Sequence, residues 1–294
     1  MIHSNSEGDI YIEEMPLLLV HLREEEKGAD ARLSEVLSYA LDGYAYETAM
    51  EISAFEDYVN RWRRLEKTQN RKNPVQGRIL FAVPLGTSGI NLELYRLIRF
   101  LREHPDFLNG FVGGLLVDSE NDLYSKSAAK DLVFAANCAG CAFVGRPLVE
   151  GTRTLSNYTI VSNNLGTDLM GAYRESAAGL VKEVLGTDCV RKKCPKVLVL
   201  HASSHKTSNT YAIWNRVKEQ LPEMEIREIG LRNGTLSDCA GCPYKMCLHF
   251  GEQGSCFYGG VMVEDVYPAV READAIVMLC PNYNDALSAN LTAF

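Results

Sequence analysis

Lys196-Val197-Leu198-Val199-Leu200-His201-Ala202-Ser203-Ser204-His205-Lys206-Thr207-Ser208-Asn209-Thr210 is the stretch whose reading decides the fold. Its apolar run suits a short strand buried on both faces. From Thr210 to Leu221 the period changes, and Ile213, Trp214, Val217 and Leu221 fall on one face of a helix. A strand feeding a hydroxyl-rich loop that opens a helix begins a βαβ unit, and so a parallel sheet. The same junction makes an anion site, because unpaired N–H groups, the positive end of the helix dipole and Ser/Thr hydroxyls converge there. The loop contains no glycine, so it is neither a Walker loop nor a dinucleotide fingerprint. A capped helix, with Ser208 or Asn209 satisfying the first turn, explains the same residues. The pattern alone does not choose between the two.

Downstream, Glu225 to Ile229 reads as a second strand, Val263 to Ala273 as a helix and Ala275 to Cys280 as a third strand. Between them Cys239, Cys242, Cys247 and Cys256 place four thiols within a short Cys- and Gly-rich segment. Four thiolates suit zinc or an iron–sulfur cluster, and free thiols without metal are the plainer alternative. Upstream, Ile79 to Val83, Phe111 to Val117, Ala142 to Val144 with Leu148-Val149, and Thr159 to Val161 read as strands. Helices are expected at Leu92 to Arg102, around Ala128 to Ala136 and at Tyr173 to Leu185. Strand and helix alternate, which predicts an α/β class with a doubly wound, largely parallel sheet.

Residues 1–75 read as a helical segment broken at Gly43, with Lys67 to Gly77 as a polar linker. The expected organisation is a helical segment 1–75, an α/β unit 76–192 and a second α/β unit 193–294. Both α/β units open on a strand and a Gly/Ser/Thr loop, and both carry Cys-Ala-Gly-Cys (138–141 and 239–242). On that echo Gly86-Thr87-Ser88-Gly89 reads as a weak copy of the 202–210 loop. Cys138 with Cys141, the basic stretch around Arg191, the carboxylates Asp118 to Asp122 and His201 all read as structural features.

The chain has 46% hydrophobic and 23% charged residues and a net charge of −8. Those values exclude a disordered or collagenous chain, and the acidity argues against nucleic acid or an anionic membrane as partner. No apolar run reaches membrane-spanning length, and the acidic start is not a secretory signal. Nine cysteines without an export signal suit reduced thiols, so a cytoplasmic location is expected.

Residues 196–294 resemble the flavodoxin-like NADPH-dependent FMN reductase family, including its iron–sulfur flavoprotein branch. In that family a Gly-Ser-x-Arg-x-x-Ser/Gly-Asn-Thr loop after the first strand holds the FMN phosphate. Ser203, Ser208, Asn209 and Thr210 match it, with His205 where the family often has Arg. The segment from Ala273 to Phe294 resembles the family's third-strand region, whose Pro-x-Tyr turn passes the isoalloxazine ring. Pro281, Asn282, Tyr283 and Asn284 stand there. The iron–sulfur branch carries a compact four-Cys motif at the position of Cys239 to Cys256, but the gaps here are wider.

The resemblance implies a flavodoxin-like unit 193–294 that binds FMN. It implies a flavin oxidoreductase passing electrons from a nicotinamide donor, NAD(P)H, to an unspecified acceptor. No general acid or base is assigned. The rival readings are an iron–sulfur/flavin electron-transfer protein without enzymatic activity and a zinc-stapled interaction module without flavin. The family is often dimeric, so a homo-oligomer is expected. Three strands where the family has five lead to the expectation that the flavodoxin-like unit stops short, and that FMN binding by this chain alone is weak or absent.

Overall fold

The structure, a computed structural model, describes residues 15–23, 27–68, 76–189, 192–203, 208–231, 234, 236–237, 239–282 and 284–294. It divides into two compact units, Met1–Cys189 and Val190–Phe294.

Unit 1 holds strands β1 (Leu17–His21), β2 (Tyr46–Ala49), β3 (Gly77–Leu85), β4 (Phe111–Ser119) and β5 (Ala142–Gly151). Its helices are α1 (Lys27–Ala40), α2 (Ile52–Thr68), α3 (Leu92–Glu103), α4 (Ser125–Cys138), α5 (Thr159–Leu165) and α6 (Leu169–Gly186). All five strands are parallel, in the order β2-β1-β3-β4-β5. That is the flavodoxin-like doubly wound order.

Side chains alternate across the sheet, as period-2 geometry requires. Ile79, Phe81 and Val83 pack with α2, α3 and α4 through Phe55, Tyr58, Trp62, Leu94, Leu97 and Leu132. Leu80 and Ala82 face the other way, onto α1 and α6 through Leu33, Val36, Tyr173, Leu180 and Val184. With both faces covered, β1, β3 and β4 carry no polar alternation.

Two expectations are corrected. The first 75 residues are not a helical segment of their own, because β1 and β2 sit among the helices and join unit 1's sheet. Leu17–His21 is buried at every position, so it lacks the alternation that announces a strand, and Tyr46–Ala49 is a half-exposed edge. Thr159 to Val161 opens α5 rather than forming a strand. A 3-10 turn at Ser156–Tyr158 leads directly into it, and Thr159 Oγ1 donates to the Ser156 carbonyl (2.8 Å). Here the tertiary setting overrides a β-branched run. The pieces at 142–144 and 148–149 are one edge strand, β5, whose register against β4 jumps between Gly113 and Leu115. Pro147, which has no N–H for the ladder, falls within that jump.

Unit 2 holds β6 (Lys196–His201), α7 (Asn209–Lys218), β7 (Glu225–Gly230), α8 (Tyr244–Glu252), a π-helical turn (Met262–Val266) running into α9 (Tyr267–Glu272), β8 (Ala275–Leu279) and α10 (Ala289–Ala293). Its parallel sheet has the order β7-β6-β8, the first three positions of the unit 1 pattern. Val197 and Val199 pack against Trp214 of α7, and Leu198 and Leu200 against Val266, Ala269 and Leu291 on the other face.

Topology also corrects the internal echo. β3 is the third strand of unit 1, so the counterpart of β6 is β1. Gly86 to Gly89 follows β3 and therefore corresponds to the segment after β8, not to the loop after β6. The two Cys-Ala-Gly-Cys stretches fall at unrelated places, one closing α4 ahead of β5 and the other between β7 and α8.

Candidate functional site

The chain runs from β6 outward to β7 and then back across to β8, so strand order reverses between β6 and β8. In doubly wound sheets the ligand crevice opens at that point, beyond the carboxyl ends of the strands. The segments after His201 and after Leu279 leave the sheet there, from neighbouring strands paired in register from Val197 with Ala275 to His201 with Leu279.

The first segment ends in the α7 cap. Ser208 has extended backbone (φ −67°, ψ 117°), and its Oγ accepts from the Tyr211 N–H at 3.3 Å. The hydroxyl proton is not used by that bond, so capping the helix and donating to an anion are compatible. Asn209 and Thr210 form the first turn, whose N–H groups have no intrahelical acceptor. Ser203 is half-buried just beyond β6. His205 lies outside the described residues.

In the second segment Pro281 is half-buried and Asn282 exposed, with Asn282 Nδ2 3.4 Å from Asp285 Oδ1. Asn284 and Asp285 both take left-handed backbone (φ 52° and 59°). Asn and Asp tolerate that region because their short side chains bond locally. Tyr283 lies outside the described residues. Asn290 Nδ2 donates to the Leu231 carbonyl (2.7 Å), tying α10 to the end of β7.

Two further groups sit at this end of the sheet, His201, which the sequence suggests is structural, and Ser288, which it does not single out. His201 Nδ1 and Ser288 Oγ are buried polar atoms without a hydrogen-bond partner among the described residues. The His201 ring leans on Tyr211, with centroids 5.1 Å apart. Their only signal in the sequence was position, a polar residue closing an apolar strand and a Ser opening a helix.

The α7 start is anchored from behind by Glu228 of β7. Its carboxylate accepts from Tyr211 Oη (2.7 Å), Trp214 Nε1 (3.2 Å) and Lys218 Nζ (2.7 Å). Burial pushes this carboxyl up, but the Lys218, Tyr211 and Trp214 donors outweigh it and leave it below its ordinary range.

The cysteines do not form a metal centre among the described residues, where no three metal-capable side chains gather. Cys239, Cys247 and Cys256 are exposed free thiols and Cys242 is half-buried. Cys247 rides on α8, while Cys256 lies beyond the helix's end.

This geometry defines a doubly wound α/β unit whose strand order reverses between β6 and β8. The family model described as NADPH-dependent FMN reductase matches residues 195–294, roughly a third of the chain and nearly all of unit 2. Nothing matches among curated proteins or solved structures. The residues at this reversal suit FMN chemically. Hydroxyls and helix-start N–H groups suit a phosphate, and the orphaned His201 Nδ1 and Ser288 Oγ offer further polar contacts at the same end. No described helix is long and apolar enough to cross a membrane.

Proposed function

We propose that unit 2 is an FMN-binding oxidoreductase unit that takes electrons from a nicotinamide donor, NADPH by the family's description, and passes them to an acceptor. The observation that carries this reading is the family match over 195–294, laid on two segments that leave the sheet at one reversal point. Ser203, Ser208 and Thr210, with the N–H groups of the α7 start and His205, would hold the phosphate. Pro281, Asn282, Tyr283 and Asn284 would line the ring. The flavin supplies hydride acceptance and one- or two-electron release. The chain's own work is to bind and orient it, so no residue is assigned as general acid or base. The thiols Cys239, Cys242, Cys247 and Cys256 take no part as metal ligands in this reading.

The test is Ser208→Glu, which sets a carboxylate where the phosphate should sit. Like charges a few ångströms apart in a partly desolvated loop repel by on the order of several kcal/mol. FMN titration at concentrations high enough for weak binding, followed by quenching of flavin fluorescence, should show binding in the parent chain and its loss in the variant, with unchanged circular dichroism. Equal affinity in both would reduce Ser208 to a helix cap and remove the reading.

A further inference from the structure

Unit 1 has a complete five-stranded sheet with the same reversal, here between β1 and β3, yet its own side chains occupy that point. The counterpart of the α7 start is the start of α1. There the Ala29 N–H donates to Glu120 Oε1 at 3.2 Å, so a carboxylate from the end of β4 sits against the helix N-terminus. Gly28 makes room for it, since a Cβ at that position would lie 1.9 Å from the same oxygen.

Two further contacts close the neighbourhood. Asn91 is fully buried, and its Nδ2 donates to the carbonyls of Leu22 (3.2 Å) and Pro84 (2.8 Å), bridging the carboxyl ends of β1 and β3. Arg32 spends its guanidinium on Asp118 and on the carbonyls of Ser119 and Arg153, spanning the ends of β4 and β5. The opening that is left, about 410 Å³, is lined by Gly28, Ala29, Arg32, Thr87, Glu120 and Arg153. The sequence ahead of α1, Leu22-Arg23-Glu24-Glu25-Glu26-Lys27, carries three carboxylates where the chain has hydroxyls ahead of α7.

We propose that Glu120 is a built-in anion holding the phosphate position of unit 1, so that this unit keeps the doubly wound frame while excluding phosphate ligands. A carboxylate satisfies the helix-start N–H and the dipole as a phosphate oxygen would. Its own charge, seated against the Ala29 N–H, repels a second anion drawn to the same helix start. The inference concerns unit 1 alone and does not rest on the flavin reading of unit 2.

The experiment is amide hydrogen exchange at the start of α1 in the full chain, with and without inorganic phosphate at constant ionic strength. In the parent, phosphate should leave exchange there unchanged. Glu120→Ala should speed it by roughly tenfold, the order expected for losing a charge-assisted hydrogen bond, and phosphate should then restore protection. Should Glu120→Ala fail to fold, Glu120→Ser, shorter but polar, carries the same comparison. Phosphate protection already present in the parent, exchange unaltered by the substitution, or a variant that phosphate cannot rescue would each overturn the proposal. None of these outcomes depends on whether unit 2 binds FMN.

Discussion

Arg32 on α1 clasps the fully buried carboxylate of Asp118 at the end of β4, with Nε 2.9 Å from Oδ2 and Nη2 2.7 Å from Oδ1. Burial raises the Asp118 carboxyl above its ordinary range more than the Arg32 donors and charge lower it. Arg32 is nonetheless held more firmly protonated, because Asp118 outweighs the burial that would lower it. Asp118 is the fully buried partner and bears the desolvation. The pair therefore fixes geometry more than it adds stability.

Breaking this pair from one side should cost far more than replacing it whole. Arg32→Met leaves an uncompensated buried carboxylate and should cost about 3 to 5 kcal/mol in urea denaturation. Arg32→Met with Asp118→Leu should recover most of that loss. A double variant no more stable than Arg32→Met alone would overturn this, and strict additivity of the two singles would mean that the pair carries no coupling energy.

How legible this was in the sequence differs by element. Ile79 to Val83 and Val197 to Leu200 announced themselves, because strands buried on both faces are unbroken apolar runs bounded by turn residues. Leu17–His21 has the same character but stands among helical patterns, and the half-exposed Tyr46–Ala49 edge offers no apolar signal. Strand order depends on long-range pairing and leaves no local trace, so the loop after β3 was matched to the wrong counterpart. The Ser208 cap was readable as Ser-Asn-Thr ahead of an amphipathic helix. The acceptor role of Glu228 was not, since its three donors are 10, 14 and 17 residues away.

Glu228 should make unit 2 acid-sensitive. Its folded carboxyl titrates below the ordinary value, so its contribution is present at neutral pH and fades as pH falls from about 4.3 through the folded pKa. Glu228→Gln should lower stability at pH 7 and flatten that dependence. Trp214 fluorescence in a Trp62→Phe background reports unit 2. An acid profile identical to the parent's would remove Glu228 as its source.

Thiol chemistry should separate the cysteines without reference to metal. Cys138, Cys189, Cys194, Cys239, Cys247, Cys256 and Cys280 are exposed and should react with a chromogenic disulfide reagent in the native protein. Cys242 should react more slowly. Cys141 is buried, and desolvation pushes its thiol far above the ordinary range, so it should react only after unfolding. Cys242→Ser should change neither metal content nor the visible spectrum and should cost about 1 to 2 kcal/mol or less. Iron or zinc bound in the parent and lost in this variant would restore the four-Cys centre.

Asn91 carries the last prediction, because one buried amide does three jobs. Its Oδ1 accepts from the Leu94 N–H (2.9 Å) to cap α3, and its Nδ2 donates to Leu22 and Pro84. Asn91→Ala abandons the Leu94 N–H and both carbonyls without water to replace them, at a cost of about 2 to 4 kcal/mol. Asn91→Asp keeps the cap but turns a carboxylate oxygen toward the two carbonyls at a fully buried site. Burial and carbonyl repulsion favour the protonated acid, which can still donate to one carbonyl, so the folded pKa should rise above the unfolded value near 3.9. With the folded pKa raised, the variant is at its most stable relative to the parent below about pH 4, and the deficit grows as pH rises through the folded pKa. Urea denaturation of parent and Asn91→Asp between pH 4 and pH 8 measures this. A stability gap that stays constant or narrows as pH rises would show that the amide hydrogens do not bridge β1 and β3.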